Sequence, residues 1–182
     1  MIALIPGSYD PITLGHVDII ERAAKKFDKV FVAVMNNDSA KHDKTLCSKT
    51  YMFDMEKRLE FVELSVSHIK NVEVISSSGM LIDLFDEVCA DVIVKGVRNG
   101  EDLEYEMKHA KWNKEHNPRV ETMYLPADKS LNSVSSTLVR NYLQNREFDK
   151  LHGIISEQVI KKSLAEHLHD DQRSDKWKNF FG

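Results

Sequence analysis

The sequence predicts a doubly wound, Rossmann-like α/β fold: a five-stranded parallel sheet with helices on both faces. Three observations lead there. Short β-branched runs recur along the chain. Stretches with apolar residues at helical spacing separate them. The runs lack the apolar–polar alternation of a strand with one wet face, so they read as strands buried on both sides. Buried strands joined by helices require right-handed βαβ crossovers, and in such folds ligands bind beyond the carboxyl ends of the strands.

The elements follow in order. Ile2 to Ile5 is an apolar run stopped by Pro6-Gly7, a strand followed by a turn. Gly15 to Phe27 sets Val17, Ile20, Ala23, Ala24 and Phe27 on one helical stripe, with Asp18 and Glu21 early and Lys25 and Lys26 late, which suits the helix dipole. Val30 to Met35 is a second strand, ended by the turn-forming residues Asn36-Asn37-Asp38-Ser39. After a polar stretch to about Tyr51, helical spacing resumes from Phe53 to Val66. Strands at Val72 to Ile75, Asp91 to Lys95 and Val120 to Leu125 then alternate with helices at Met80 to Val88, Glu101 to His116 and Ser135 to Gln144. The expected division is one domain over 1–168 and a polar tail over 169–182.

Length and charge narrow the function classes. The 182 residues amount to one average domain. With 25 Lys+Arg against 29 Asp+Glu the net charge is −4, so the general cationic field of a nucleic-acid coating protein is missing. An anionic partner would have to be met by a local site. Cys47 and Cys89 form no CxxC pair, which excludes a zinc ribbon or dithiol motif and leaves reduced thiols as the expectation. No basic n-region opens the sequence and no 18 apolar residues run together, so the expectation is a cytoplasmic protein with neither membrane nor nucleic-acid partner. His167, His169, Asp170 and Asp171 read as a polar helix end, and no metal-ligating residues are assigned.

GxGxxG, GxxxxGK(S/T) and HExxH are all absent. At the first strand-to-helix junction stands Pro6-Gly7-Ser8-Tyr9-Asp10-Pro11-Ile12-Thr13-Leu14-Gly15-His16. Gly7 permits a turn, Ser8 offers a hydroxyl, Gly15 allows close approach, and His16 enters the first helical turn beside unpaired amides. Together they make an anion site at a helix amino terminus.

This segment resembles the adenylyl- and cytidylyltransferase superfamily, whose (T/H)xGH motif is matched by Thr13-Leu14-Gly15-His16. Two further segments, Lys95-Gly96-Val97-Arg98 with Asp102 and Glu104-Tyr105-Glu106-Met107, and Ser133-Val134-Ser135-Ser136-Thr137, resemble bacterial phosphopantetheine adenylyltransferases, in register from about Ile2 to Leu164. That resemblance implies transfer of adenylate from ATP to 4'-phosphopantetheine, giving dephospho-coenzyme A and pyrophosphate with Mg²⁺, in a cytoplasmic homohexamer open to feedback by coenzyme A. Residue by residue it implies Ser8 and Tyr9 at the phosphates and His16 as stabiliser of the transition state. It also implies ATP contacts from Gly96, Val97, Arg98, Glu106 and Leu131, Asn132, Ser133, Val134, Ser135, Ser136 and Thr137, with Leu81 along the pantetheine arm. Catalytic roles fall to Ser8, His16, Lys41 and Arg98, and the phosphopantetheine site to Ser8, Lys41, Leu81 and Lys95.

Two positions depart from the family pattern. Lys95 stands where the family has arginine, keeping the charge without the bidentate fork. In the Asp38-Ser39-Ala40-Lys41-His42-Asp43-Lys44 run, strict register puts Ala40 at the catalytic lysine's place; Lys41 is assigned the role, with Lys44 the other option. Another nucleotidyltransferase of the superfamily, acting on CTP or on nicotinate mononucleotide, and a catalytically silent nucleotide-binding protein remain the alternative readings. The proposed chemistry needs no general base, because a phosphate monoester with a second pKa near 6 is already ionised at neutral pH.

Overall fold

In the computed structural model, residues 1–36 and 50–163 are described. The chain runs β1 (Ile2–Gly7), α1 (Leu14–Ala24), β2 (Lys29–Met35), α2 (Met55–Val66), β3 (Val72–Ser77), α3 (Leu81–Glu87), β4 (Val92–Val97), α4 (Gly100–His116), β5 (Thr122–Pro126) and α5 (Ser136–Gln144). Short 3-10 turns at Lys129–Leu131 and Phe148–Leu151 flank α5, and residues 157–163 are helical. All strand pairings are parallel, in the order β3-β2-β1-β4-β5. The expected doubly wound sheet is therefore present, and its strand order reverses between β1 and β4.

Alternate residues of the central strands feed two cores. Ala3, Ile5, Val30, Val32, Val34, Val92 and Val94 pack with Ile20 of α1, Phe61 of α2 and Val139 of α5. Leu4, Phe31, Ala33 and Ile93 pack on the other face with Leu84 and Phe85 of α3. Burial on both faces holds for β1, β2 and β4. It does not hold for β3 and β5, which have no buried residue, because each is an edge strand.

Caps explain where the helices begin. Asp54 accepts from the Lys57 amide at 2.8 Å and starts α2 at Met55, two residues later than the spacing predicts. Met80 is the N-cap of α3, and Ser135 caps α5 by accepting from the Leu138 amide at 3.1 Å. Pro6 and Gly7, expected as a turn, belong to β1 and pair with Ala33 and Val34 of β2. The β4 ladder on the other side has ended by then, so a residue with no N–H is tolerated there. No described helix is long and apolar enough to cross a membrane.

Candidate active site

The switch point opens into a cleft because the two central strands part. β1 and β4 pair only at Ala3 with Val92 and at Leu4 with Ile93, whereas β1 and β2 stay paired to Gly7 and Val34. Beyond that fork lies a cavity of about 1130 Å³, lined by the carboxyl ends of β1 and β4, the start of α1, and residues of α3, α4 and α5. Parallel folds of this kind place ligands at such a reversal.

At the floor, Thr13 is buried and caps α1, whose first turn carries His16. The Thr13 amide donates to His16 Nδ1 at 3.0 Å, and the Thr13 hydroxyl lies 2.9 Å from the same nitrogen. An Nδ1 that accepts a backbone N–H carries a lone pair, so the ring proton of neutral His16 resides on Nε2. His16 is thereby built as a donor. The ring also meets Tyr9 edge-on, with centroids 5.2 Å apart.

Gly7 is required for that arrangement, since a Cβ there would lie 2.7 Å from the Tyr9 ring. Tyr9 is buried, its hydroxyl donates to the Ile5 carbonyl at 3.0 Å, and burial pushes that hydroxyl's pKa well up. Gly96 answers a different demand: a Cβ would approach Ile19 Cγ1 to 2.8 Å, so its bareness lets α1 lie close on β4.

Cations in the cleft are paired with carboxylates. Lys95 Nζ on β4 lies 3.1 Å from Glu106 Oε2 on α4. Arg98 forms a fork with Asp102, through Nε at 2.7 Å and Nη2 at 3.1 Å, and this bonding holds the Asp102 carboxyl below its usual range. Arg140 of α5 donates to the Asp10 carbonyl at 2.6 Å and to the Thr137 hydroxyl at 3.0 Å. Met80 and Leu81 from the start of α3 and residues of α4 line the same cleft.

A family model described as cytidylyltransferase-like matches residues 4–142. The phosphopantetheine adenylyltransferase of Staphylococcus haemolyticus (strain JCSC1435) is 40% identical over 142 residues, covering 78% of this chain and 83% of that protein. That of Staphylococcus carnosus (strain TM300) is 41% identical over the same shares. The chain belongs to the phosphopantetheine adenylyltransferase family. Among solved structures, a Vibrio parahaemolyticus protein assigned as a nicotinate-nucleotide adenylyltransferase superposes with a TM-score of 0.62 at 22% identity, covering 90% of this chain and 97% of that one. The Plasmodium falciparum nicotinic acid mononucleotide adenylyltransferase complexed with NaAD gives 0.62 at 14% identity, covering 93% of this chain and 97% of that one. At these identities the likeness is one of fold.

Measured against the residues expected from the family's motifs, the cleft gathers Ser8, Tyr9, His16, Leu81, Lys95, Gly96, Arg98, Glu106, Leu131, Val134, Ser135, Ser136 and Thr137. Val97, Asn132 and Ser133 are not among its lining residues. The Val97 carbonyl instead accepts from the Ala127 amide at 2.8 Å, while Asn132 and Ser133 are exposed on the turn before α5. Within that turn, Ser135 caps the helix and the Ser136 hydroxyl donates to the Pro11 carbonyl at 2.8 Å. Lys41 and Lys44 lie outside the described residues, as do Cys47, His167, His169, Asp170 and Asp171. Two cleft residues passed over by the sequence reading are Arg140 and Trp112. Arg140 follows Ser136 by one helical turn, and that spacing was the available signal.

Proposed function

We propose that the protein transfers the adenylyl group of ATP to 4'-phosphopantetheine, releasing dephospho-coenzyme A and pyrophosphate. Family membership carries the substrates; the observation that carries the chemistry is the Thr13 amide on His16 Nδ1, 3.0 Å long, which sets Nε2 as an N–H donor at the forked strands. An oxygen of the acceptor phosphate attacks the α-phosphorus, the bond from that phosphorus to the bridging oxygen breaks, and pyrophosphate leaves with the electron pair. The acceptor is ionised at neutral pH, so no base need be supplied. What the chain provides is alignment of two polyanions and stabilisation of growing charge. In this reading His16 donates to the α-phosphate, Ser8 and the loop amides hold phosphate oxygens, and Lys95 faces the acceptor's phosphate. Lys41 supplies a further cation.

Among the described residues no group of three or more His, Cys, Asp or Glu could hold a metal ion. In this reading Mg²⁺ would arrive with ATP, held by phosphate oxygens and water. Bound there, it would neutralise charge on the leaving pyrophosphate. The reading also takes in a cytoplasmic homohexamer with coenzyme A as a feedback ligand. Assembly would cover Tyr105 and Met107 on α4 and Met123 on β5, large apolar side chains exposed by 50%, 54% and 43%.

Pyrophosphate release with ATP or CTP, offered with 4'-phosphopantetheine or nicotinate mononucleotide, tests the reading. ATP with 4'-phosphopantetheine is the expected pair. His16→Ala should lower kcat by roughly 10² to 10³, as for losing one oxyanion donor, with far smaller changes in KM. Use of CTP alone, or undiminished turnover in that variant, would overturn it.

A further inference from the structure

The β1–α1 loop holds a shape that its own residues disfavour. Tyr9 sits at φ 46° and is only 3% exposed, and a bulky side chain in the left-handed region needs support from elsewhere. Two buried side chains tie the loop to the chain around Phe53. Asp10 accepts the amides of Met52 at 3.0 Å and Phe53 at 2.9 Å. From α2, Arg58, only 1% exposed, reaches back the other way. Its Nη1 donates to the Ser8 carbonyl at 2.7 Å and its Nε to the Phe53 carbonyl at 3.2 Å. Nη2 donates to Asn36 Oδ1 at 2.6 Å, and the guanidinium lies 4.2 Å from the centre of the Tyr51 ring.

The consequence is geometric. A trans peptide is planar with its C=O and N–H opposed, so fixing the Ser8 carbonyl on Arg58 turns the Tyr9 amide to the opposite side. The guanidinium spreads its donors over three nitrogens in one plane and so reaches the Ser8 carbonyl, the Phe53 carbonyl and Asn36 Oδ1 at once, a span that the single nitrogen of an ammonium lacks. We propose that Arg58 is a positioning residue: by gripping the Ser8 carbonyl from below, it aims the Ser8–Tyr9 segment at a polyphosphate bound beside His16. This rests on the reading of the cleft as a polyphosphate site and adds to it a residue on α2 that touches no substrate.

The test uses the full chain and the variants Arg58→Lys and Arg58→Ala. Circular dichroism and thermal melting report folding, calorimetry reports pyrophosphate binding, and pyrophosphate release reports turnover. Arg58→Lys should remain folded yet bind pyrophosphate about 10-fold more weakly, with kcat down roughly 10- to 100-fold and acceptor KM nearly unchanged, as expected when a reacting group is displaced by about 1 Å. Millimolar guanidinium ion should restore a measurable part of the Arg58→Ala turnover, while leaving unaided a Phe61→Ala variant, whose α2 core side chain is also fully buried. Wild-type pyrophosphate affinity and kcat in Arg58→Lys would overturn the proposal, as would guanidinium raising all variants alike. If the wild type formed no dephospho-coenzyme A, the substrate reading would fall, and pyrophosphate affinity alone would decide on Arg58.

Discussion

His16 and Lys95 show how one neighbour sets what a side chain can do. His16 is a donor because the Thr13 backbone amide occupies its other nitrogen; Thr13→Val, which keeps that amide, should therefore lose much less kcat than His16→Ala. Lys95 reaches Glu106 at 3.1 Å with both side chains about four-fifths buried, so an incoming phosphate must share the cation with a carboxylate. An arginine has donors for both at once. Lys95→Arg should lower the acceptor KM by roughly tenfold, the worth of one added charge-assisted hydrogen bond, with kcat within about twofold. A KM that holds steady would mean that Glu106 keeps the cation whichever residue bears it. Asp102 gives a pH signature. Arg98 holds its carboxyl below the usual range, so the pair's stability is present above the unfolded value near 3.9 and is lost as pH falls through the lower folded one. The urea midpoints of wild type and Asp102→Asn should differ by a constant from pH 7 to about 4.5 and converge below it.

At the scale of elements, periodicity made most of the fold legible, and the errors share one cause. Val30 to Met35 is a local pattern and appears as read; the Gly15 to Phe27 stripe is buried at Val17, Ile20, Ala23 and Phe27, but α1 stops at Ala24 and Phe27 reaches the core from beyond it. Pro6-Gly7 looks like a turn locally, yet becomes strand because it pairs with Ala33 and Val34 of β2, at a point where β4 has already left β1 and the missing N–H is tolerated. The motif assigns Gly96 to ATP; its missing Cβ also answers to Ile19, 77 positions earlier, a distance across which no local spacing can speak. Arg58 left no sequence signal at all, since Ser8, Asn36 and Phe53 converge on it only after three elements have packed. The Gly96 contact makes a prediction about α1 and β4 as a pair. Gly96→Ala should destabilise by about 1–3 kcal/mol through overpacking, and Ile19→Ala by about 2–5 kcal/mol through a cavity. Because the new methyl would fill part of that cavity, the double variant should lose clearly less than the sum in urea unfolding. Strict additivity would place the strain elsewhere.

Across the whole molecule, the cleft is where the two halves of the sheet meet: β1 and α1 bring the Ser8 to His16 loop, and β4 with α4 brings Lys95 and Glu106. Both halves share the core under β1 and β4, where Ala3, Ile5, Val92 and Val94 pack together. The net charge of −4 had excluded a broadly basic binder, and the cations that face the cleft are few and mostly matched by carboxylates. A ligand that spans the fork contacts both halves of one shared core, so its binding should be felt by the entire fold. ATP bridging both halves should stabilise the folded state by about 2.7 kcal/mol at 100 times its Kd. For a domain of this size that raises Tm by roughly 5–11 °C. The cooperative unit is the point at issue. A single sheet with shared cores predicts one calorimetric transition, with and without ATP. Two transitions, only one moving with ATP, would show that the β3-β2 and β4-β5 sides unfold separately and that the fork between β1 and β4 is a boundary.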